Sequence, residues 1–252
     1  MRTVVLVGTD HKFQKPIDGP HRAGIENFRK TIRELFVQHE LRAIAEEMNP
    51  AALQDANIQE SVAQQLCIEL GRVPHNFSDP ARGKERCDLG IKGSNEIILE
   101  GQNLEWTNEQ INAAICKSNR IREREWLRRI QEFDKWPVLF ICGADHFSHF
   151  AKLLRETGIS VIEAYQDWGP EIEVHSPTPL YRDANLHRAG SLTCLSKLKL
   201  TEAKQLLPRE KVTVKKTVCG KDFWAFEIET GDKTEGWVLD VQEGIHIIYP
   251  AR

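Results

Sequence analysis

The chain has 252 residues, enough for one large domain and one small one but not for three. Hydrophobic residues make up 40% and charged residues 28%, and the net charge of −3 offers no bulk attraction to nucleic acid or to an anionic membrane. No apolar run approaches the roughly 20 residues that a membrane helix needs, and the segment from Met1 meets Gly8 and Asp10 too soon for a secretory leader, so a cytoplasmic protein is expected.

Thr3 to Val7 is a β-branched run closed by Gly8, the pattern of a strand buried on both faces. A loop with Pro16, Gly19, Pro20 and Gly24 follows, then Phe28, Ile32, Leu35 and Phe36 at helical spacing. Ala43 to Ala45 predicts a second strand, ended by Glu46 and Glu47, and a helix from about Gln59 to Leu70 stops at Gly71. Val73 to Phe77 leaves room for a third strand. After a polar loop, Thr107 is placed to cap a long helix carrying Ile111, Ile115, Trp126 and Ile130, which Pro137 closes before the strand Val138 to Cys142. A helix through Phe150, Leu153 and Leu154 and a strand from Ile159 to Ala164 complete the pattern. Strands alternating with helices predict an α/β domain over residues 1–175, with a mainly parallel sheet flanked by helices.

Beyond residue 175 the pattern changes. Residues 176–189, with Pro177 and Pro179, read as a linker. Residues 190–252 carry short strand-like runs at Val212 to Val214, Phe223 to Ile228 and Gly236 to Leu239, with Gly231 placed for a hairpin, which predicts a small all-β barrel. Six scattered cysteines without a C-x-x-C pair predict reduced, mostly buried thiols and no zinc knuckle.

One tetrapeptide pattern occurs twice, Gly8-Thr9-Asp10-His11 and Gly143-Ala144-Asp145-His146, each where a buried strand emerges. Ligands of open α/β sheets bind at the carboxyl ends of the strands, so both histidines are expected in one crevice. Glu46 and Glu47 leave the second strand at the same level, and alternation turns one of them into the crevice and the other toward a neighbouring layer. His11, Glu47 and His146 then form a candidate ligand set for a divalent metal, with Mn, Zn and Co not distinguished by the residue types. The catalytic candidates are Glu46 and Glu47, one of them as general base on water, and Arg122. Arg122 lies on the stripe between Ile115 and Trp126 and needs an anionic partner if that stripe is buried; the alternative is a solvated arginine in a charged run. The bland reading of the cluster is a solvated acidic pair with two capping histidines. His75, Asp79, Arg82, Lys84 and Arg86 form a second group, read either as an exposed loop or as a cationic cradle for a phosphate or carboxylate.

The two G-x-x-H motifs, the glutamate pair and the helix segment Arg122-Glu123-x-x-Trp126-Leu127-x-x-Ile130 resemble the superfamily that groups the TIKI and TraB/PrgY proteins, the ChaN-like haem-binding proteins and the erythromycin esterases, over residues 1–165. Residues 190–252, through Trp224 and Gly236-Trp237-Val238, resemble bacterial Src-homology-3-type barrels, which implies a peptide or protein partner for that segment. The first resemblance implies a metal-dependent hydrolase of peptidase or esterase type acting on a small molecule or peptide, with water activated by the His/Glu cluster. A metal-free esterase using a histidine base fits the same residues, and the reading from another class is a non-catalytic ligand-binding or sensory domain whose barrel docks a partner.

Overall fold

The computed structural model describes residues 2–16, 22–182, 186, 193–219 and 223–249. The chain divides after Trp168, and among the described residues 22–27 group with the later unit. The Gly19 and Pro20 positions of the first loop lie outside the described residues, as do 183–185 and 187–189 of the expected linker.

In the first unit the strands β1 (Thr3–Thr9), β2 (Ala43–Glu46), β3 (His75–Phe77), β4 (Val138–Gly143) and β5 (Ser160–Trp168) form one sheet in the order β3-β2-β4-β1-β5. Every pairing in it is parallel. The helices are α1 (Arg22–Gln38), of which the part from Phe28 belongs to this unit, α2 (Pro50–Asp55), α3 (Val62–Glu69), α4 (Lys84–Asp88), α5 (Ser94–Asn103), α6 (Asn108–Phe133) and α7 (Ala144–Glu156). The α/β expectation thus holds, with α2, α4 and α5 added where the sequence suggests only loop.

Alternation along the strands decides which layer each side chain enters. Val4, Leu6, Ala43, Ala45, Val138, Phe140 and Cys142 share one core with Trp126, Leu127 and Ile130 of α6 and Phe147, Phe150 and Leu154 of α7. The residues between them, Val5, Val7, Ile44, Leu139 and Ile141, are equally buried and point to the opposite layer, where α3 lies against β2. Both faces of the sheet are therefore covered, which is why β2 and β4 read as unbroken apolar runs.

α6 begins as expected. The Thr107 hydroxyl accepts from the Gln110 N–H at 3.3 Å, and the Gln110 side chain accepts from the Thr107 N–H at 2.8 Å, a reciprocal cap that fixes the helix start. α3 starts on the same device between Ser61 and Gln64.

The second unit is antiparallel. β7 (Thr178–Tyr181), β8 (Glu202–Leu206), β9 (Val212–Cys219), β10 (Trp224–Thr230) and β11 (Glu235–Leu239) form a five-stranded sheet in the order β8-β7-β11-β10-β9. β6 (Glu171–Val174) pairs with β12 (Ile245–Ile248). The β10–β11 hairpin turns at Gly231, and Trp224 and Trp237 are both buried. Residues 178–181, in the expected linker, are instead a strand bonded to β8 and β11. Pro179 tolerates that place because proline lacks only the N–H and keeps its acceptor, which takes the Gln242 amide at 2.8 Å.

The thiols differ from the expectation. Among the described side chains Cys67 and Cys142 are buried, whereas Cys87 and Cys116 are exposed on α4 and α6 and Cys194 is half-buried.

Candidate active site

Strand order brings the two G-x-D-H motifs together. β4 lies between β1 and β2, with Thr9 opposite Gly143 and Glu46 opposite Ile141, so three neighbouring strands end at one level. The chain leaves β1 into a single turn of 3-10 helix, His11–Gln14, capped by the Asp10 carboxylate on the Lys12 N–H at 2.9 Å. It leaves β2 at Glu47, whose N–H donates to the Ile141 carbonyl at 2.7 Å, and it leaves β4 directly into α7 with His146 in the first turn.

Glu47 stands at the centre. Its Oε2 accepts the Gly143 N–H at 2.7 Å, and its Oε1 accepts Arg122 Nη2 at 2.6 Å. The same oxygen lies 3.8 Å from His11 Nε2 and 3.6 Å from His146 Nε2. A side chain at position 143 would place its Cβ 3.2 Å from His11 Nε2 and 3.3 Å from Glu47 Oε2, so glycine lets carboxylate and imidazole close on the strand end.

Arg122 lies on the inner stripe of α6 with its side chain only 16% exposed, and it bridges two carboxylates. Besides Glu47 it donates through Nε to Asp79 Oδ1 at 3.0 Å, with Nη2 at 2.9 Å from the same oxygen. Asp79 also receives Trp126 Nε1 at 3.1 Å, Asn49 Nδ2 at 2.9 Å and the Arg86 guanidinium. Burial pushes Asp79 upward, but the charges of Arg122 and Arg86 and the hydrogen bonds outweigh it and hold its carboxyl below the usual range. Burial likewise disfavours charge on Arg122, and Glu47 and Asp79 more than restore it.

His146 is 6% exposed and has a carboxylate of its own: Nδ1 lies 2.8 Å from Glu123 Oε1. A carboxylate only accepts and a guanidinium only donates, so in these contacts Nδ1 donates to Glu123 and Nε2, at the cleft, accepts from Arg122 Nη1 at 3.5 Å. Trp126 meets the imidazole edge to face at 4.8 Å between centroids and fixes the ring plane.

These side chains line a cleft of about 410 Å³ whose walls include His11, Glu47, Asn119, Arg122, Gly143 and His146. Asp10, Asp145 and Asp167 stand at its rim; burial, then the charges of Asp10 and Asp145, raise the Asp167 carboxyl above its usual range. Beneath the site, burial and then the Glu47 and Glu123 charges push the Cys142 thiol well up, so it supplies no thiolate.

No family profile, curated protein or solved structure compared with the chain matches it.

Of the sequence candidates, His11, Glu47, Arg122 and His146 converge, and Glu46 does not join them. Glu46 shares the face of Ile44, where it is fully buried and its Oε1 meets His75 Nε2 at 2.8 Å and the Ser61 hydroxyl. Lys84 pairs with Asp88 and Arg82 with Asp55, both on the surface. Two residues of the site carry more than their sequence neighbours suggested. Glu123 orients His146 and Asp79 anchors Arg122. The signal for Glu123 was helical phase, since residues 119, 122, 123 and 126 share the stripe that ends at Ile130.

The ligand set His11, Glu47 and His146 does not fit a preformed metal site. Among the described residues no group of three or more His, Cys, Asp or Glu side chains is disposed to hold an ion. Both Glu47 oxygens already accept hydrogen bonds, one of them from a guanidinium that would repel a cation beside it. No helix among the described residues is long and apolar enough to cross a membrane.

Proposed function

We propose that the first unit is a hydrolase of esterase or peptidase type, in which a histidine–carboxylate pair activates water without a metal. The observation that carries this reading is the Glu123–His146 pair, whose Nε2 lies at the cleft 3.5 Å from Arg122 Nη1. Glu123 fixes the tautomer, so His146 Nε2 is the acceptor for a water proton. As water attacks a carbonyl carbon, charge develops on the carbonyl oxygen, and Arg122 Nη1 is the donor directed at it. Glu47 and Asp79 hold the guanidinium from its other edge, so the donor is in place before substrate arrives. His11, half exposed at the mouth and beside Glu47, is placed to return a proton to the leaving group.

A panel of nitrophenyl esters and short chromogenic peptides tests this. His146→Ala is expected to lower kcat by about 10²- to 10⁴-fold and Glu123→Gln to lower it in the same direction with KM little changed. Chelation is expected to leave the rate unchanged. A His146→Ala protein that hydrolyses at the wild-type rate overturns the reading, and activity restored only by added Mn, Zn or Co would replace it with the metal-dependent form. Ligand binding without turnover by any member of the panel would favour the non-catalytic domain. The partner of the second unit is proposed from its barrel-like resemblance alone, as a peptide or protein segment.

A further inference from the structure

A smaller cavity, of about 130 Å³, adjoins the cleft and shares His11, Glu47 and Arg122 with it. Its remaining walls differ in character. Lys15, Arg82 and Arg86 converge there, and with Arg122 they bring four permanent cations against the two carboxylates of Glu47 and Asp79. The inner pair is committed, since Arg122 and Arg86 are locked to Asp79 and Glu47. The outer pair is not. Lys15 makes no ion pair among the described residues, and Arg82 is held only by Asp55 across the surface, both side chains being more than half exposed. Exposed pairs of this kind exchange readily for a better anion.

Two side chains with spare donors at the entrance of a cavity that runs into a hydrolytic cleft are arranged for a small oxyanion. A guanidinium offers a fork that matches a carboxylate or phosphate, and a nearby ammonium adds a mobile point charge. Arg82 lies in the short stretch of chain between Asp79, which anchors Arg122, and Arg86, which bonds Asp79 and the Pro80 carbonyl, so the cations of the cavity and the guanidinium of the cleft are held by one segment.

We infer that Lys15 and Arg82 form an anion subsite that selects substrates bearing a carboxylate or phosphate beyond the scissile bond. The inference rests on the hydrolase reading for the word substrate, but the subsite itself is testable without turnover. Titration calorimetry of the full chain with inorganic phosphate and with succinate separates the two sources of the charge. Lys15→Gln and Arg82→Gln are each expected to weaken the better of the two by about tenfold, the loss of one charge-assisted contact. Lys84→Gln, two residues further on at the start of α4 and outside the cavity, is expected to bind as wild type does, and so is His146→Gln. In turnover, a hemisuccinate or phosphate-bearing ester is expected to show a lower KM than its neutral counterpart, a difference that Lys15→Gln removes with kcat unchanged. Binding by wild type and His146→Gln without hydrolysis of any ester would leave the subsite standing and sink the hydrolase. Absence of binding by wild type to either anion, or Lys15→Gln and Arg82→Gln proteins indistinguishable from Lys84→Gln, overturns the subsite even if esters are cleaved.

Discussion

Arg122 has two carboxylates within hydrogen-bond reach and an indole face 5.3 Å from its guanidinium carbon, so its removal leaves the buried Glu47 without its guanidinium partner and takes one of two guanidinium partners from Asp79. Arg122→Ala is therefore expected to cost about 3 to 5 kcal/mol in urea unfolding. Arg122→Lys keeps the charge but cannot span both oxygens with a planar fork, so it should recover part of the stability and little of the rate. Equal stability of all three proteins would contradict the buried geometry. Asp79 adds a pH dependence with a definite sign. Its carboxyl is held below the usual range in the folded state, so the stability it contributes is complete above the unfolded value of about 3.9 and is lost as pH falls through the lower folded value. Thermal melts from pH 6 downward should show wild type declining more steeply below about pH 4 than Asp79→Asn, which starts less stable at neutral pH. Residue-level reasoning from sequence reached His11, His146 and Arg122 because strand ends and helical phase place them. It placed Glu47 in the cleft but kept Glu46 as a catalytic candidate beside it, because alternation says that the two part company and only the layer behind β2, with Ser61 and His75 in it, shows what holds Glu46 away.

Elements with an apolar period or a buried run were legible and the helices of the polar stretches were not, for a reason visible in α5. Its sequence from Ser94 to Asn103 is polar and contains Gly101, which in isolation argues against a helix by about 1 kcal/mol relative to alanine. The structure explains the glycine by contact. A Cβ there would sit 2.6 Å from Ile111 Cγ1 of α6 and 3.1 Å from Trp106, so the absent side chain is what lets α5 pack on the long helix. Gly101→Ala thus sets a gain in helix propensity against overpacking of about 1 to 3 kcal/mol, and the overpacking is expected to win with a net loss of about 1 kcal/mol. A more stable Gly101→Ala protein would mean that Ile111 yields without cost. α6, by contrast, announced itself through its Thr107 cap and the 3.6-residue recurrence of Ile115, Trp126 and Ile130, and β4 through a run that only a doubly covered strand requires.

At the scale of the whole chain, the change of pattern near residue 175 marked a real transition, and the position was displaced because β6 and β7 are four residues each and one contains proline. The split falls at Trp168, and the segment from Glu171 to Tyr181 is tied into two sheets by pairing with β12, β8 and β11. Limited proteolysis is accordingly expected to spare residues 171–181, since backbone held in ladders is a poor protease substrate. Early cleavage within 178–181 would show that β7 does not hold its place.

The centre of the first unit is assembled from distant stretches of chain: Glu47 meets Arg122 across 75 positions and Gly143 across 96. Nothing resembling it survives unfolding, so any compound that occupies the cleft binds one state of the protein alone. Mass action then converts occupancy into heat resistance, about 2.7 kcal/mol when the compound is present at a hundred times its dissociation constant. The melting temperature is thereby a detector that requires no knowledge of the reaction, and a library of acidic esters sorted by the shift each produces would rank candidate physiological ligands before any turnover is seen.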